Sequence, residues 1–204
     1  MSRVSGQVRV VGAGLLGTSI GLALSKLGVD VIMSDTSRAS QALAVDYGAG
    51  RQPQDSDSPA LVVVCVPPDH TAGVVARELA TFPRAVVTDV ASVKQPILAE
   101  LRGLGAQLSN YVGSHPMAGR EKGGAIAGRA DLFIGRPWVI VPHAESSQAA
   151  IDLVTDLALD LASAPVNMEP IEHDHAVAAV SHVPQVISSL LAARLISTSS
   201  QEIS

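Results

Sequence analysis

Three glycines, at positions 12, 14 and 17, constrain this chain more than any other feature because of what flanks them. Residues 7–11, Gln-Val-Arg-Val-Val, form a valine-rich strand candidate that ends at Gly12, and Gly12-Ala13-Gly14-Leu15-Leu16-Gly17 follows at once. Leu16, Ile20, Ala23, Leu24 and Leu27 then recur at spacings of three and four, the period of a helix with one apolar face. Gly28 stands where a helix-terminating glycine belongs. Residues 29–34 read as a second strand ending at Asp35. A strand, a glycine turn, a helix and a strand within about 30 residues make the minimal parallel crossover unit.

Each glycine has its own task if such a turn holds a dinucleotide. Gly12 permits the tight turn, Gly14 lets backbone approach a pyrophosphate, and Gly17 lets the helix pack closely on the strand. The pyrophosphate then rests on the unpaired N–H groups of the first helical turn, at Leu15, Leu16 and Gly17, where the helix dipole also favours an anion. Asp35 is placed to accept hydrogen bonds from a ribose 2′-hydroxyl. Its charge repels a 2′-phosphate, so the expected cofactor is NAD, while Arg38, three residues on, keeps NADP open. A ligand-free glycine turn is the plainer alternative, and FAD also fits such a turn; the acidic residue at the expected distance favours the nicotinamide dinucleotide.

The alternation continues. Residues 61–66 are a wholly apolar, β-branched run, as expected of a strand buried on both faces. It ends at Val66 and Pro67, which complete the expected cofactor-contacting set. Residues 71–81, 93–104 and 146–162 read as helices; residues 85–89, 111–113 and 138–141 read as strands; 52–59 is a polar loop. Strands alternating with helices imply a doubly wound, mostly parallel α/β sheet. From Pro170 strand signals stop, and residues 171–195 read as a long helix opening an all-helical second domain. The expected boundaries are 1–169, 170–196 and a polar tail at 197–204.

Composition removes several function classes. With 14 basic against 19 acidic side chains there is no excess of positive charge for nucleic acid, and two Tyr, two Phe and one Trp offer little for stacking on bases. The single cysteine, Cys65, excludes a disulfide framework and a cysteine-rich zinc site; in its apolar run it reads as packing rather than a nucleophile, and Trp138 reads as packing on the sheet. No segment has the apolar length of a membrane span, no secretory leader is evident, and the expected location is cytoplasmic.

The segment Ser114-His115-Pro116-Met117-Ala118-Gly119-Arg120-Glu121-Lys122-Gly123-Gly124 follows a short strand and so falls at the carboxyl edge of the sheet, where α/β folds bind ligands. An imidazole there, at His115, suits proton abstraction from a substrate hydroxyl near neutral pH; a surface histidine with a local hydrogen bond is the alternative. In Asp89-Val90-Ala91-Ser92-Val93-Lys94, Ser92 either orients His115 or caps the next helix. Lys94 reads either as a ligand contact or as a solvated helix lysine. His173 and His175 lie two apart and cannot share a helix face, so no metal site is expected, and His173 and Asp174 read as capping and packing residues.

These segments, together with Ser181-His182-Val183-Pro184, give the chain a resemblance to the prephenate/arogenate dehydrogenases, NAD(P)-dependent enzymes of tyrosine biosynthesis, from about Val8 to Leu195. The resemblance implies a Rossmann-type domain followed by the start of a helical one. It implies oxidative decarboxylation of prephenate or arogenate, giving 4-hydroxyphenylpyruvate or tyrosine. His115 takes the ring-hydroxyl proton, Ser92 holds His115, and Glu121, Ser181 and Gln185 line the substrate. Gln185 stands where many prephenate-specific members carry a histidine, and it donates a hydrogen bond without a charge, so both substrates stay open.

The family's helical domain runs further and supplies a substrate arginine and a homodimer interface. The resemblance therefore implies an incomplete site and weak turnover for this chain by itself. Two other readings stand beside it. One is a different β-hydroxyacid-type dehydrogenase, disfavoured because no lysine occurs between Pro170 and Leu195. The other is a cofactor-binding module with little turnover.

Overall fold

The structure is a computed structural model, which describes residues 2–118 and 124–179. Seven strands form one sheet: β1 (Val8–Val11), β2 (Val31–Ser34), β3 (Leu61–Val64), β4 (Val86–Asp89), β5 (Tyr111–Pro116), β6 (Pro137–Val141) and β7 (Ala164–Asn167). Their order across the sheet is β2-β1-β3-β4-β5-β6-β7. The first five in that order are mutually parallel, so their carboxyl ends share one edge. β6 runs antiparallel to β5, and β7 parallel to β6. The helices are α1 (Leu15–Lys26), α2 (Arg38–Asp46), α3 (Pro68–Thr81), α4 (Gln95–Gly103), α5 (Gln148–Asp160) and α6 (Pro170–Val177).

Strand alternation divides the core in two. Val8, Val10, Leu61, Val63 and Val112 face one cluster, which Ile20 and Leu24 of α1 and Val154 and Leu157 of α5 complete. Val11, Val62, Val64, Val87 and Tyr111 face the other, against Val75 and Leu79 of α3 and Ile97, Leu98 and Leu101 of α4. Burial on both faces is why β3, Leu-Val-Val-Val, reads as an unbroken apolar run. Trp138 is fully buried and meets Phe133 edge to face at 5.2 Å between ring centroids. Among the described residues no helix is long and apolar enough to cross a membrane.

The sequence reading differs from this in several places. The strand expected at 111–113 continues to Pro116, because Gly113, Ser114, His115 and Pro116 pair with Val141, Ile140, Val139 and Trp138. His115 is therefore on a strand, not in a loop. α2 was not expected: only Ala44 of its nine residues is buried, so its sequence carries little apolar periodicity. β7 was also missed, being a short, largely exposed edge strand containing Pro165. Of the helix expected over 171–195, α6 covers the first part, with Pro170, His173 and Val177 buried; residues 180–204 lie outside the described residues.

Candidate active site

The glycine turn is built by close approach. Gly12 has φ +107°, and a Cβ on it would lie 2.3 Å from the Cys65 carbonyl oxygen. A Cβ on Gly17 would lie 1.9 Å from the Gly12 carbonyl oxygen, so α1 seats on β1 only without a side chain there. At Gly14, by contrast, a Cβ would meet nothing within 4 Å. The fold needs glycine at 12 and 17; at 14 the missing side chain leaves space open outside the protein. Gly14 is also the N-cap of α1 and offers no side-chain hydrogen bond, and the first turn holds no acidic residue. The helix thus presents N–H groups and the positive end of its dipole to that space.

The space is a cavity of about 770 Å3 whose walls include Gly12, Gly14, Asp35, Val66, Pro67, His70 and Arg77. It opens at the carboxyl ends of β1, β2 and β3, where the strand order reverses on either side of β1. Leu15 and Leu16 are half-buried and pack on the core, so only their backbone is available toward it. The Asp35 carboxylate closes one side: Oδ2 accepts from Ala13 N–H at 2.6 Å and Oδ1 from Ser37 N–H at 2.7 Å. Arg38 is exposed at the start of α2. Cys65 lies just past β3 in the cavity wall, and burial, reinforced by the charge of Asp89, pushes its thiol far up, so it stays protonated and unreactive.

A second group of polar side chains occupies the same edge, two strand spacings from β3, or about 10 Å. His115 lies two residues beyond Gly113, the last β5 residue paired with β4, and so projects about 7 Å past that pairing. By alternation it shares a face with Tyr111 and Gly113. Its Nδ1 is 3.0 Å from Nε2 of the fully buried His173, whose Nδ1 is 2.8 Å from Asp174 Oδ1. Beneath them Lys94 and Asp89 form a buried ion pair between Nζ and Oδ1, and Tyr111 Oη donates to Asp89 Oδ2 at 2.7 Å. Gly113 makes room for this pair: a Cβ there would approach Lys94 Cδ to 3.0 Å.

Two expectations need correction. Lys94 is neither solvated nor offered to a ligand; it is 2% exposed and spent on Asp89. Burial pulls its ammonium below the ordinary lysine value, opposed by the charges of Asp89 and Asp174. Nor does Ser92 cap α4. The helix starts at Gln95, after Lys94, and its first N–H groups are capped from α6: Asp174 accepts from Lys94 N–H at 2.8 Å and Gln95 N–H at 2.9 Å. Ser92 lies half-buried between β4 and α4. Glu121, Ser181 and Gln185 fall outside the described residues. The missed partnership of Asp89 and Lys94 had a signal, since a carboxylate ending a buried apolar strand requires a partner.

The model of the nucleotide-binding domain of prephenate dehydrogenase matches residues 20–166. The chain belongs to the prephenate dehydrogenase family. A Streptomyces niveus protein named "Probable prephenate dehydrogenase NovF" is 41% identical over 186 residues, covering 91% of this chain and 51% of that protein. The cyclohexadienyl dehydrogenase of Zymomonas mobilis is 31% identical, covering 89% and 64%. The chain thus spans about half to two-thirds of the length of these relatives. A solved structure of Aquifex aeolicus prephenate dehydrogenase, in complex with hydroxyphenyl propionate and NAD+, superposes with a TM-score of 0.86 at 27% identity, covering 96% of this chain and 71% of that one.

Proposed function

We propose that the chain forms the dinucleotide-binding part, and half of the reaction site, of an enzyme that oxidatively decarboxylates prephenate or arogenate with NAD+. The observation that carries this reading is the coincidence, on one sheet edge, of the glycine-turn cavity and an imidazole at the end of β5. The residues fit a dinucleotide. The N–H groups at Leu15, Leu16 and Gly17 take the pyrophosphate beside the open face of Gly14, Asp35 takes the adenosine ribose hydroxyls, and Val66 and Pro67 form a wall. Asp35 disfavours a 2′-phosphate, which makes NAD the better cofactor and leaves NADP the weaker one. A nicotinamide ring held along this edge supplies the hydride acceptor.

His115 receives the proton of the substrate hydroxyl as the carbon bearing it gives up hydride. The ring carboxylate leaves as CO2, and aromatisation makes the step nearly irreversible. Ser92, half-buried between β4 and α4, is assigned to holding His115 and facing the nicotinamide. Glu121, Ser181 and Gln185 are assigned to the polar wall around the substrate.

Calorimetry with NAD+ and NADP+, paired with NADH formation from prephenate and from arogenate, tests the reading. Binding of NAD+ with turnover of either acid is the expected result for the assembled enzyme. Binding without turnover of either acid by the assembled enzyme favours the cofactor-module reading, and absence of NAD+ binding overturns both.

A further inference from the structure

Asp174, His173 and His115 form an unbroken line of hydrogen bonds whose proton order is fixed from one end. The three bonds to Asp174 recorded among the described residues all come from N–H groups: His173 Nδ1 and Lys94 N to Oδ1, and Gln95 N to Oδ2. Burial works against charge on this carboxyl, but those bonds outweigh it and hold the group below the ordinary aspartate value. A carboxylate only accepts, so the proton on the facing nitrogen of His173 is at Nδ1. His173 itself is kept neutral: burial lowers its pKa and the nearby Lys94 charge adds to this, against the pull of Asp174 and Asp89. A neutral imidazole protonated at Nδ1 has its lone pair at Nε2. That lone pair faces His115 Nδ1 at 3.0 Å, so His115 must donate from Nδ1.

We propose that His173 and Asp174 are positioning residues that lock His115 in the Nδ1–H tautomer, which leaves Nε2 as its basic nitrogen. The purpose of the lock rests on the dehydrogenase reading; its geometry does not. A general base presented in the wrong tautomer has its proton where its lone pair should be, and it must rotate or exchange before it can act. Here no such step is needed. When Nε2 takes a substrate proton, the imidazolium keeps its Nδ1–H bond to His173, and the Asp174 anion stands behind that ring, the same division of labour as in an Asp–His–nucleophile triad. Asp174 also caps α4, which ties the orientation of the base to the segment carrying Ser92.

Long-range 1H–15N correlation spectra of the 15N-histidine-labelled chain, at a pH above the imidazole titrations, read the tautomer directly. The expected wild-type spectrum has a protonated Nδ1 and an unprotonated Nε2 at His115. His173→Gln, which keeps an acceptor oxygen near the lost Nε2, retains that pattern; His173→Leu shifts His115 toward the Nε2–H form. Protonated Nε2 in the wild type overturns the proposal without any variant having to fold, and so does an unchanged tautomer in a folded His173→Leu protein. This readout requires neither dinucleotide nor substrate, so its failure is separate from failure of the dehydrogenase reading. In the active assembly His173→Leu loses part of the about 10²–10⁴-fold that a positioned base contributes, in kcat with KM little changed, and His173→Gln recovers some of it. Equal kcat in wild type and His173→Leu contradicts the lock.

Discussion

Replacing Lys94 with methionine isolates the charge at the heart of the second cluster, because methionine keeps most of the buried stem. Lys94 is 2% exposed and Asp89 fully buried. Without the ammonium, the donors to the Asp89 carboxylate among the described residues are neutral: Tyr111 Oη at 2.7 Å and Ala91 N–H at 2.9 Å. Removing one partner of a buried pair costs about 3–5 kcal/mol, since the other charge is left uncompensated. Domains of this kind are stable by about 5–15 kcal/mol, so Lys94→Met removes a large share. With a urea slope of about 2–3 kcal/mol/M, the unfolding midpoint falls by about 1–2.5 M. Asp89→Asn combined with Lys94→Met recovers more than half of the loss, because the residual amide leaves no charge. Equilibrium urea unfolding followed by circular dichroism reads both. A loss under about 1 kcal/mol for Lys94→Met, or a double variant no more stable than the single one, would refute the assignment of this pair as a buried, coupled charge couple.

Three further outcomes follow from the geometry. Gly17→Ala forces a Cβ to 1.9 Å from backbone and should cost at least about 1–3 kcal/mol of stability by overpacking. Gly14→Ala meets nothing within 4 Å, so it should leave the unfolding midpoint in place while weakening NAD+ in calorimetry; equal loss of fold in both variants contradicts the separate roles. Asp35→Asn should weaken NAD+ by about 1.5–3 kcal/mol, the worth of a hydrogen bond to a charged group, and narrow the preference over NADP+ in the same titration. On acidification, His173 has a lowered folded pKa against an ordinary 6.5. The unfolded chain therefore takes up that proton first, and stability falls as pH drops from 6.5 to the folded value. Asp174, also lowered, adds a second loss at more acid pH, as pH falls through its folded value. Asp89, Lys94 and His115 face the same ring, and urea midpoints of wild type and His173→Gln across pH 7.5 to 5 should show a shallower slope in the variant.

Six of the seven strands were legible because burial leaves runs such as Leu61–Val64 with no polar interruption; the order across the sheet and the largely exposed β7 carried no such signal. The glycine turn was legible because backbone contact at Gly12 and Gly17 tolerates no other residue. What escaped the sequence was set by distant partners. His115 joins a strand because residues 137–141 pair with it, and no local pattern in Ser-His-Pro-Met announces that. The cap of α4 comes from Asp174, some 80 residues away, so the nearby Ser92 was the natural but wrong candidate. His173 and Asp174 read as packing residues because their chemistry becomes visible only when α6 lies against α4 and β5.

The central claim is that one dinucleotide runs along this edge from Asp35 to His115. A crystal structure of the chain with NAD+ tests it most directly. The account predicts pyrophosphate oxygens on the N–H groups of the first turn of α1, the adenosine ribose on Asp35, and the nicotinamide ring over the ends of β4 and β5, on the side of His115 Nε2. A nicotinamide lying over the β2 side of the sheet, or a dinucleotide bound away from the glycine turn, would contradict it.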